Sequence, residues 1–259
     1  MNADKVKFWD EVWTRDATTA PARDSHPLRA VLDEIVRRFG LDDARMLEVG
    51  CGRLNMQGLG PNYMATDISP ACSAFVAPGR FVCCPATALP FRDNSFDFVF
   101  SIYVLEHVAE IETALSEIRR VTRPGGIVLV KPAWFCRPWN GRPWFRKPLR
   151  NCSAGERLLK LSVRIRNSFF YRAADLLQWR VRGVFSGYSL RFRKLLPNYE
   201  TPDIIDADAE VWLDPLDVIR WFTARGDECL SHATLFQRWW LTADSVVVRV
   251  RKPERRVPA

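Results

Sequence analysis

A short apolar stretch that ends in Gly-Cys-Gly carries the first residues whose types could do chemistry. Residues 46–49 are mostly apolar, as in a fully buried strand, and glycines at 50 and 52 permit a sharp turn. A ligand can approach such a turn closely because no Cβ stands in the way. In a doubly wound α/β sheet, ligands lie outside the carboxyl end of the first strand. Glu48 is the one acid in this strand, and its burial is costly unless a cation or a hydrogen-bond donor meets it.

A second acid stands where the next strand is expected to end. Asp67 lies fifteen residues beyond Gly52, in Ala-Thr-Asp-Ile-Ser-Pro. At the end of a second strand, its carboxylate can accept hydrogen bonds from both ribose hydroxyls of a nucleoside. The alternative is an aspartate that caps the helix that follows.

A pair of ionisable residues, Glu106 and His107, follows the apolar run 96–101, which predicts a fourth strand. The carboxyl end of that strand is again on the ligand side of the sheet. Because imidazole titrates near neutrality, His107 is a candidate for taking a proton from a hydroxyl nucleophile. The alternative is that His107 caps or packs locally.

Residues 44–131 as a whole resemble the class I S-adenosylmethionine-dependent methyltransferases, particularly the broad branch that includes ubiquinone-biosynthesis enzymes. Four stretches carry the likeness: MLEVGCG, ATDISP, ALPFRDNSFDFVFSIYVLEHV and EIRRVTRPGGIVLV. The resemblance implies an α/β fold with a Rossmann-like seven-stranded, mostly parallel sheet, helices on both faces and an antiparallel last strand. It also implies S-adenosyl-L-methionine as the cofactor.

The same resemblance implies which residues contact the cofactor. Glu48 would accept from its amino group or orient the glycine turn, residues 50–52 would pass under its methionine portion, and Asp67 would hold its ribose. Residues 86 and 87 would border the adenine. The predicted cofactor-binding residues are Glu48, Gly50, Cys51, Gly52, Asp67, Ile68, Ala86, Thr87 and Tyr103, and His107 is the candidate catalytic residue.

Two departures from the family pattern bear on the cofactor site. Leu54 replaces the usual third glycine, and the short stretch from 52 to 67 contains Gly58 and Gly60, so the first helix is expected to be one turn or absent. Pro85 stands where many relatives place an acid that meets the adenine amino group.

The composition favours one α/β domain with an elaboration: residues 1–131, a basic aromatic insertion at 132–200, and a completion of the sheet at 201–259. Residues 131–200 contain sixteen Lys or Arg against three acids, about +13, whereas the remaining residues sum to 22 − 27 = −5. The first third of the insertion, PAWFCRPWNGRPWFRKPLR, is expected to be an extended or looped arm because prolines interrupt regular structure. Residues 156–182 predict one or two basic amphipathic helices.

Three interpretations of these basic helices remain open. They could pack against the sheet domain with the charged face in water, bind anionic lipid, or bind nucleic acid through phosphate and base contacts. The acidic stretch after residue 202 is expected to contact the insertion.

The aromatic face of residues 4–16 predicts a helix that packs on the core or covers the cofactor. Further helices are predicted at 28–39, 111–121 and 215–224. Short strands are predicted at 81–83 and at 127–130, the latter after an Arg-Pro-Gly-Gly reversal. A final antiparallel hairpin of 228–235 and 245–250 would close the sheet.

Cysteine usage and hydropathy predict where the protein works. The seven cysteines form no Cys-x-x-Cys pair, so buried thiols are expected, and nothing predicts a metal site. No apolar run approaches eighteen residues and no signal peptide is evident, which favours a cytoplasmic protein. A cytoplasmic protein bound peripherally to the inner face of the membrane is also compatible with this pattern.

The sequence therefore predicts an S-adenosylmethionine-dependent methyltransferase that O-methylates a glycan, a lipid-linked molecule or another small acceptor. The expected partners are an anionic or lipid-linked acceptor and an anionic membrane surface. The alternatives are an RNA methyltransferase and a non-catalytic relative whose cofactor loop has decayed.

Overall fold

The computed structural model describes residues 3–15, 28–53, 56, 58–185, 187, 189–200, 206–240 and 245–251. Leu54, which replaces a family glycine, and Asp203, at the start of the acidic stretch, lie outside these residues.

A seven-stranded sheet forms the centre of the molecule. In chain order its strands are β1 (Arg45–Val49), β2 (Asn62–Asp67), β3 (Phe81–Cys83), β4 (Phe96–Ile102), β5 (Thr122–Lys131), β8 (Glu228–Cys229) and β9 (Val246–Arg249), with β6 (Arg193–Lys194) and β7 (Val211–Trp212) forming a separate pair. The strand order is β3-β2-β1-β4-β5-β9-β8. The first five strands pair in parallel, and β9 is antiparallel to both neighbours. This arrangement confirms the predicted fold class.

Helices lie on both faces of the sheet and in the insertion. They are α1 (Ala3–Arg15), α2 (Arg29–Phe39), α3 (Ile111–Val121), α4 (Pro143–Arg146), α5 (Ala154–Arg166), α6 (Phe169–Val184), α7 (Pro215–Thr223) and α8 (Leu235–Trp240). Apolar side chains of α3 and α7 pack with one face of the central strands and those of α2 with the other. Such two-sided burial explains why the central strands read as continuous apolar runs.

Two predicted segments differ in detail. The Arg-Pro-Gly-Gly sequence at 123–126 lies inside β5 as a bulge, because the pairing shifts from Phe96–Thr122 to Phe98–Ile127. The predicted strand 228–235 is wrong beyond its first two residues, since a helix begins at Leu235. A reciprocal cap starts that helix: the Thr234 hydroxyl accepts from the Gln237 N–H, and the Gln237 side chain accepts from the Thr234 N–H.

The insertion contains the two predicted helices, α5 and α6, and the arm before them is mostly irregular. The expectation that proline would exclude every helix from the arm is wrong at α4, where Pro143 occupies the first turn and needs no N–H partner. The predicted contact between the acidic stretch and the insertion is present, because Arg180 and Asp214 form an ion pair at 2.6 Å. The interpretation that α5 packs its apolar face on the sheet domain is wrong: Leu158 and Ile165 are 72% and 67% exposed.

Candidate cofactor and methyl-transfer site

A cavity of about 560 Å³ lies at the carboxyl ends of β1, β2 and β4. All ten predicted site residues line it: Glu48, Gly50, Cys51, Gly52, Asp67, Ile68, Ala86, Thr87, Tyr103 and His107. Its size falls within the range of small-molecule pockets, roughly 300–1,000 Å³. The cofactor-binding and catalytic roles of these ten residues remain predictions, but the structure brings all ten residues to one cavity.

The glycine turn after β1 is packed closely by the protein itself. Gly50 has φ +78°, and a Cβ there would lie 2.3 Å from Cγ2 of Val104. Gly52 has φ +49°, and a Cβ there would lie 3.0 Å from the Trp13 ring. Both turn positions therefore require glycine, for conformation and for space. The space that the missing side chains leave is filled by Val104 and Trp13.

Asp67 holds the glycine turn and does not cap the helix that follows, because the cap there is Ser69, whose side chain accepts from the Ala71 N–H. Its Oδ2 accepts from the Gly52 N–H at 2.8 Å, and its Oδ1 accepts from the Ser69 N–H at 3.0 Å, before a short 3₁₀ helix at 70–75. Burial raises the pKa of Asp67, and these N–H groups oppose the rise. The Cys72 side chain and the Ile68 N–H also hydrogen-bond to this carboxylate, and a ribose hydroxyl would share an oxygen with these donors. The residue therefore fits the ribose role while it holds the glycine turn in place.

Glu48 meets the donors that its burial demands. Its Oε2 accepts from the Met56 N–H at 2.7 Å and from the Tyr63 hydroxyl. Burial nevertheless raises the pKa of Glu48 to about 8, so the carboxyl is mostly protonated at neutral pH. Sequence reasoning missed Tyr63. The signal was strand register, since Tyr63 lies two residues before Ala65, the partner of Glu48 on β2, and therefore on the same face.

His107 lies between two carboxylates. Its Nδ1 is 2.8 Å from Oδ2 of Asp208, and its Nε2 is 3.8 Å from Oε1 of Glu106. Burial alone would lower the pKa of His107, but the Asp208 and Glu106 carboxylates outweigh it and raise the pKa to about 9. The premise that His107 titrates near neutrality therefore does not hold in this arrangement. At neutral pH the ring carries a proton and holds the segment that follows the insertion.

Helix α1 and the residues that follow the insertion close the cavity from outside. Trp9 and Trp13 line it as a stacked pair with ring centroids 5.3 Å apart, and the edge of Trp9 meets the His107 ring. Lys5 pairs with Glu210 at 2.9 Å. Phe8 is buried, so α1 both packs on the protein and covers the site, as the two sequence interpretations allowed.

Residues 84–87 line the part of the cavity where the adenine is expected. None of them is an acid, and Pro85 stands where many relatives place one. Tyr103, at the end of β4, has φ +56° and is half-exposed. Its N–H donates to the Lys131 carbonyl at 2.8 Å, which holds this unfavourable backbone conformation. Strained non-glycine residues often occur at ligand sites, and Tyr103 faces the cavity.

Neither a metal site nor a membrane-spanning helix is present among the described residues. No group of His, Cys, Asp and Glu there could hold a metal ion. No helix there is long and apolar enough to cross a bilayer. All seven cysteines are free, and the expectation of buried thiols is wrong at Cys83, which is exposed.

Comparison with known proteins identifies the central part of the chain. Residues 47–130 match the family model for the methyltransferase domain. A ubiquinone/menaquinone biosynthesis C-methyltransferase from Hahella chejuensis is 39% identical over 98 residues, which cover 38% of this chain and 32% of that protein. A ubiquinone biosynthesis O-methyltransferase from Mesorhizobium japonicum is 28% identical over 143 residues, which cover 46% of this chain and 57% of that protein.

Among solved structures, the S-adenosylmethionine-bound amino pentose methyltransferase CalS10 from Micromonospora echinaspora has a TM-score of 0.40 and 23% identity, over 49% of this chain and 56% of that one. The chain thus spans only about a third to somewhat over half of the length of these relatives.

The family match and the order of the strands define a class. Residues 47–130 form a methyltransferase domain by this match, and the strand order is the one implied by the resemblance to class I S-adenosylmethionine-dependent methyltransferases. This confirms the predicted family, and with it S-adenosylmethionine as the cofactor. The glycine turn, the Asp67 carboxylate and the size of the cavity fit that group.

Proposed function

We propose that this protein transfers the methyl group of S-adenosylmethionine to an oxygen of a glycan, a lipid-linked molecule or another small acceptor. The observation that carries the proposal is the convergence of the glycine turn, Asp67 and His107 on one cavity that α1 covers. A decayed binding protein would have no need to keep these groups together.

The cofactor, when bound, supplies a methyl carbon made reactive by its attachment to a sulfonium. The protein aligns the acceptor and excludes water, which can provide much of the rate in such a transfer. Trp9 and Trp13 form an apolar wall for this purpose, and Lys5 fastens the wall by its ion pair with Glu210.

His107 is the side chain that was predicted to take the proton of the acceptor hydroxyl. With its pKa near 9, the ring is already protonated at neutral pH and cannot accept another proton. His107 becomes a base only when its contact with Asp208 loosens or the pH rises. Until then it stabilises the Asp208 and Glu106 carboxylates and positions the residues that follow the insertion, and the proton of the acceptor hydroxyl passes to solvent water as the product leaves.

The names of the relatives support an acceptor related to isoprenoid quinones or other lipid-like molecules, since one is an O-methyltransferase and one a C-methyltransferase of ubiquinone biosynthesis. Oxygen is the preferred acceptor atom in this proposal. RNA methylation is the second candidate, because the insertion concentrates positive charge and aromatic side chains.

The test begins with calorimetric titration of the purified protein with S-adenosylmethionine and S-adenosylhomocysteine. Micromolar binding supports the enzyme, and labelled methyl transfer is then measured with lipid-linked glycans, quinone precursors and RNA side by side. No binding up to millimolar concentrations would favour the non-catalytic alternative. Transfer to RNA alone would replace the proposed acceptor class.

A further inference from the structure

Helices α5 and α6 present apolar side chains to solvent. Leu158, Leu161 and Ile165 recur at helical spacing along one side of α5, and all three are exposed. On α6 the exposed stripe consists of Phe170, Leu177, Val181 and Val184. Of the seventeen large apolar side chains that are exposed in the described residues, eleven lie between 158 and 185.

The side of α6 that faces the protein is polar. Arg180, only 3% exposed, donates to both carboxylate oxygens of Asp214, and the Trp179 ring N–H donates to Asp217. A surface helix normally has the opposite polarity, with its apolar stripe facing the core. Apolar surface of this extent marks a binding face.

Exposed arginines lie on the same two helices as the apolar stripes. Arg164 is exposed on α5, and Arg172 and Arg182 are exposed on α6. The two acids on these helices are occupied, because Glu156 pairs with Lys147 and Asp175 pairs with Arg193. The charge left on the surface of these two consecutive helices, called the α5–α6 hairpin below, is therefore positive.

A second cavity, of about 580 Å³, lies between the arm and α6. Arg137, Arg166 and Arg172 line it together with Trp139. Neither Arg166 nor Arg172 forms an ion pair with another described residue. The ring nitrogen of Trp139 is buried without a hydrogen-bond partner among them. Indole N–H groups and guanidinium groups are donors only, so the cavity suits an oxyanion.

We propose that the α5–α6 hairpin docks on an anionic phospholipid bilayer, with its apolar stripes in the interface and a lipid phosphate in the arginine-lined cavity. A helix with an apolar face bordered by Arg and Lys lies in the plane of such an interface. The inference deepens the proposed function, on which it rests only for the source of the acceptor: a docked enzyme reaches a lipid-linked molecule without leaving the membrane.

The chemistry of the surface favours lipid over two other occupants. A second copy of this chain would bring two positively charged hairpins together, and like charges disfavour that contact. RNA would use the arginines, and its bases would stack on the exposed Phe and Tyr rings, but it would gain nothing from the exposed Leu, Ile and Val side chains. An anionic bilayer satisfies the charge and the apolar stripes together.

The experiment is co-sedimentation of the full chain with vesicles of phosphatidylcholine alone and of equal parts phosphatidylcholine and phosphatidylglycerol. We expect binding to the second kind only. The double variant Leu158→Gln/Ile165→Gln should lose about tenfold in vesicle affinity, since each side chain gives up interfacial burial. The matched control is Val31→Gln, on an exposed apolar residue of α2, which should bind as the parent does.

Two further experiments test the cavity. Trp139→Phe removes the indole N–H that has no partner and should weaken binding to the anionic vesicles about threefold. Trp144→Phe, in the same arm of the insertion but outside the cavity, should leave binding unchanged. Glycerol phosphate at millimolar concentration should fail to release the protein. Equal binding of the parent and the Leu158→Gln/Ile165→Gln variant would overturn the proposal, as would release by glycerol phosphate or binding of poly(U) RNA in place of vesicles.

Vesicle binding requires no methyl transfer, so docking and the proposed function can fail separately. The tested side chains on α5 are exposed, and far-ultraviolet circular dichroism should show unchanged helix content. A docked but inactive protein would leave this inference standing and return the question to the acceptor.

Discussion

The Asp208 carboxylate lies 2.8 Å from Nδ1 of His107, and this pair joins the cofactor cavity to the chain that returns from the insertion. His107 follows β4, whereas Asp208 comes a hundred residues later, after both basic helices. Lys5 reinforces the same junction by donating to the His107 carbonyl and to Glu210. The insertion is thereby coupled to the site through buried charges, and the pH dependence of those charges can be measured.

Replacing the carboxylate tests that coupling. In Asp208→Asn the pKa of His107 should fall from about 9 by at least about one pH unit, because one of the two carboxylates that raise it is gone. Proton NMR titration of the three histidines measures this directly. Asp43→Asn, on the exposed loop before β1, is the control. An unchanged His107 pKa would show that Glu106 alone sets it.

The same pair predicts a direction for stability. The pKa of His107 is higher in the folded state than the ordinary value of about 6.5, so its stabilising contribution is complete below pH 6.5 and is lost as the pH rises through about 9. Urea unfolding of the parent should show this decline between those pH values, and Asp208→Asn should show less of it. Equal slopes would contradict the assignment.

The Glu48 carboxyl is expected to lose its proton when the cofactor binds. The carboxyl has a pKa of about 8 and is mostly protonated at pH 7, and a cationic amino group beside it would favour its ionised form. Titration with S-adenosylmethionine in two buffers of different ionisation enthalpy should therefore report release of most of one proton. Glu48→Gln should abolish the release. Equal heats in both buffers would place the amino group elsewhere.

Asp67 predicts a loss of cofactor affinity. Asp67→Ala should weaken binding of S-adenosylmethionine by roughly 1–3 kcal/mol, if its carboxylate accepts the ribose hydroxyls. Asp67→Asn keeps an acceptor for the Gly52 N–H and should lose less. Isothermal titration calorimetry compares both with Asp43→Ala. Parent-like affinity of Asp67→Ala would remove the residue from the site.

The sequence was sufficient to predict the strands and helices that depend on the local pattern of apolar residues and glycines. Apolar runs and glycine breaks placed β1, β2 and β4, and the apolar spacing predicted α2 and α3. The cavity residues followed because the carboxyl ends of parallel strands meet at one edge of the sheet. What the sequence could not supply was the long-range pairing. Nothing near position 107 indicated that Asp208 would raise its pKa.

The helices of the insertion show a second limit. Helical spacing predicted both of them, but a helical period fixes only that the apolar residues share one side. Which side faces the protein depended on Arg180 finding Asp214, a partner 34 residues later. Leu177 and Val181 of α6 were thus left outside, and the exposed Leu158 and Ile165 of α5 likewise contradict the packed interpretation.

The glycine turn makes a prediction about stability that does not involve the cofactor. Gly50→Ala should destabilise the protein by roughly 1–3 kcal/mol, because alanine is strained at φ +78° and its Cβ would meet Val104 at 2.3 Å. Gly155→Ala introduces the same methyl group in the first turn of α5, where nothing lies within 4 Å, and should be neutral or stabilising. Thermal unfolding compares them. Similar melting temperatures would mean that the turn relaxes.

The buried pair of Arg180 and Asp214 makes the last prediction. Arg180→Met should cost roughly 3–5 kcal/mol of unfolding free energy, because it leaves the Asp214 carboxylate buried without its cation. The exposed pair of Lys7 and Glu11 offers the control, since Lys7→Met should change stability by less than about 0.5 kcal/mol.

A double variant separates charge from packing in this pair. Arg180→Met/Asp214→Asn should recover part of the loss, because asparagine removes the unpaired charge yet can still accept the Leu216 N–H at the start of α7. Urea unfolding measures all the variants. The double variant could prove no more stable than Arg180→Met. The loss of unfolding free energy would then come from the other contacts of the arginine side chain, including its donation to the Trp239 carbonyl, and not from the charge pair.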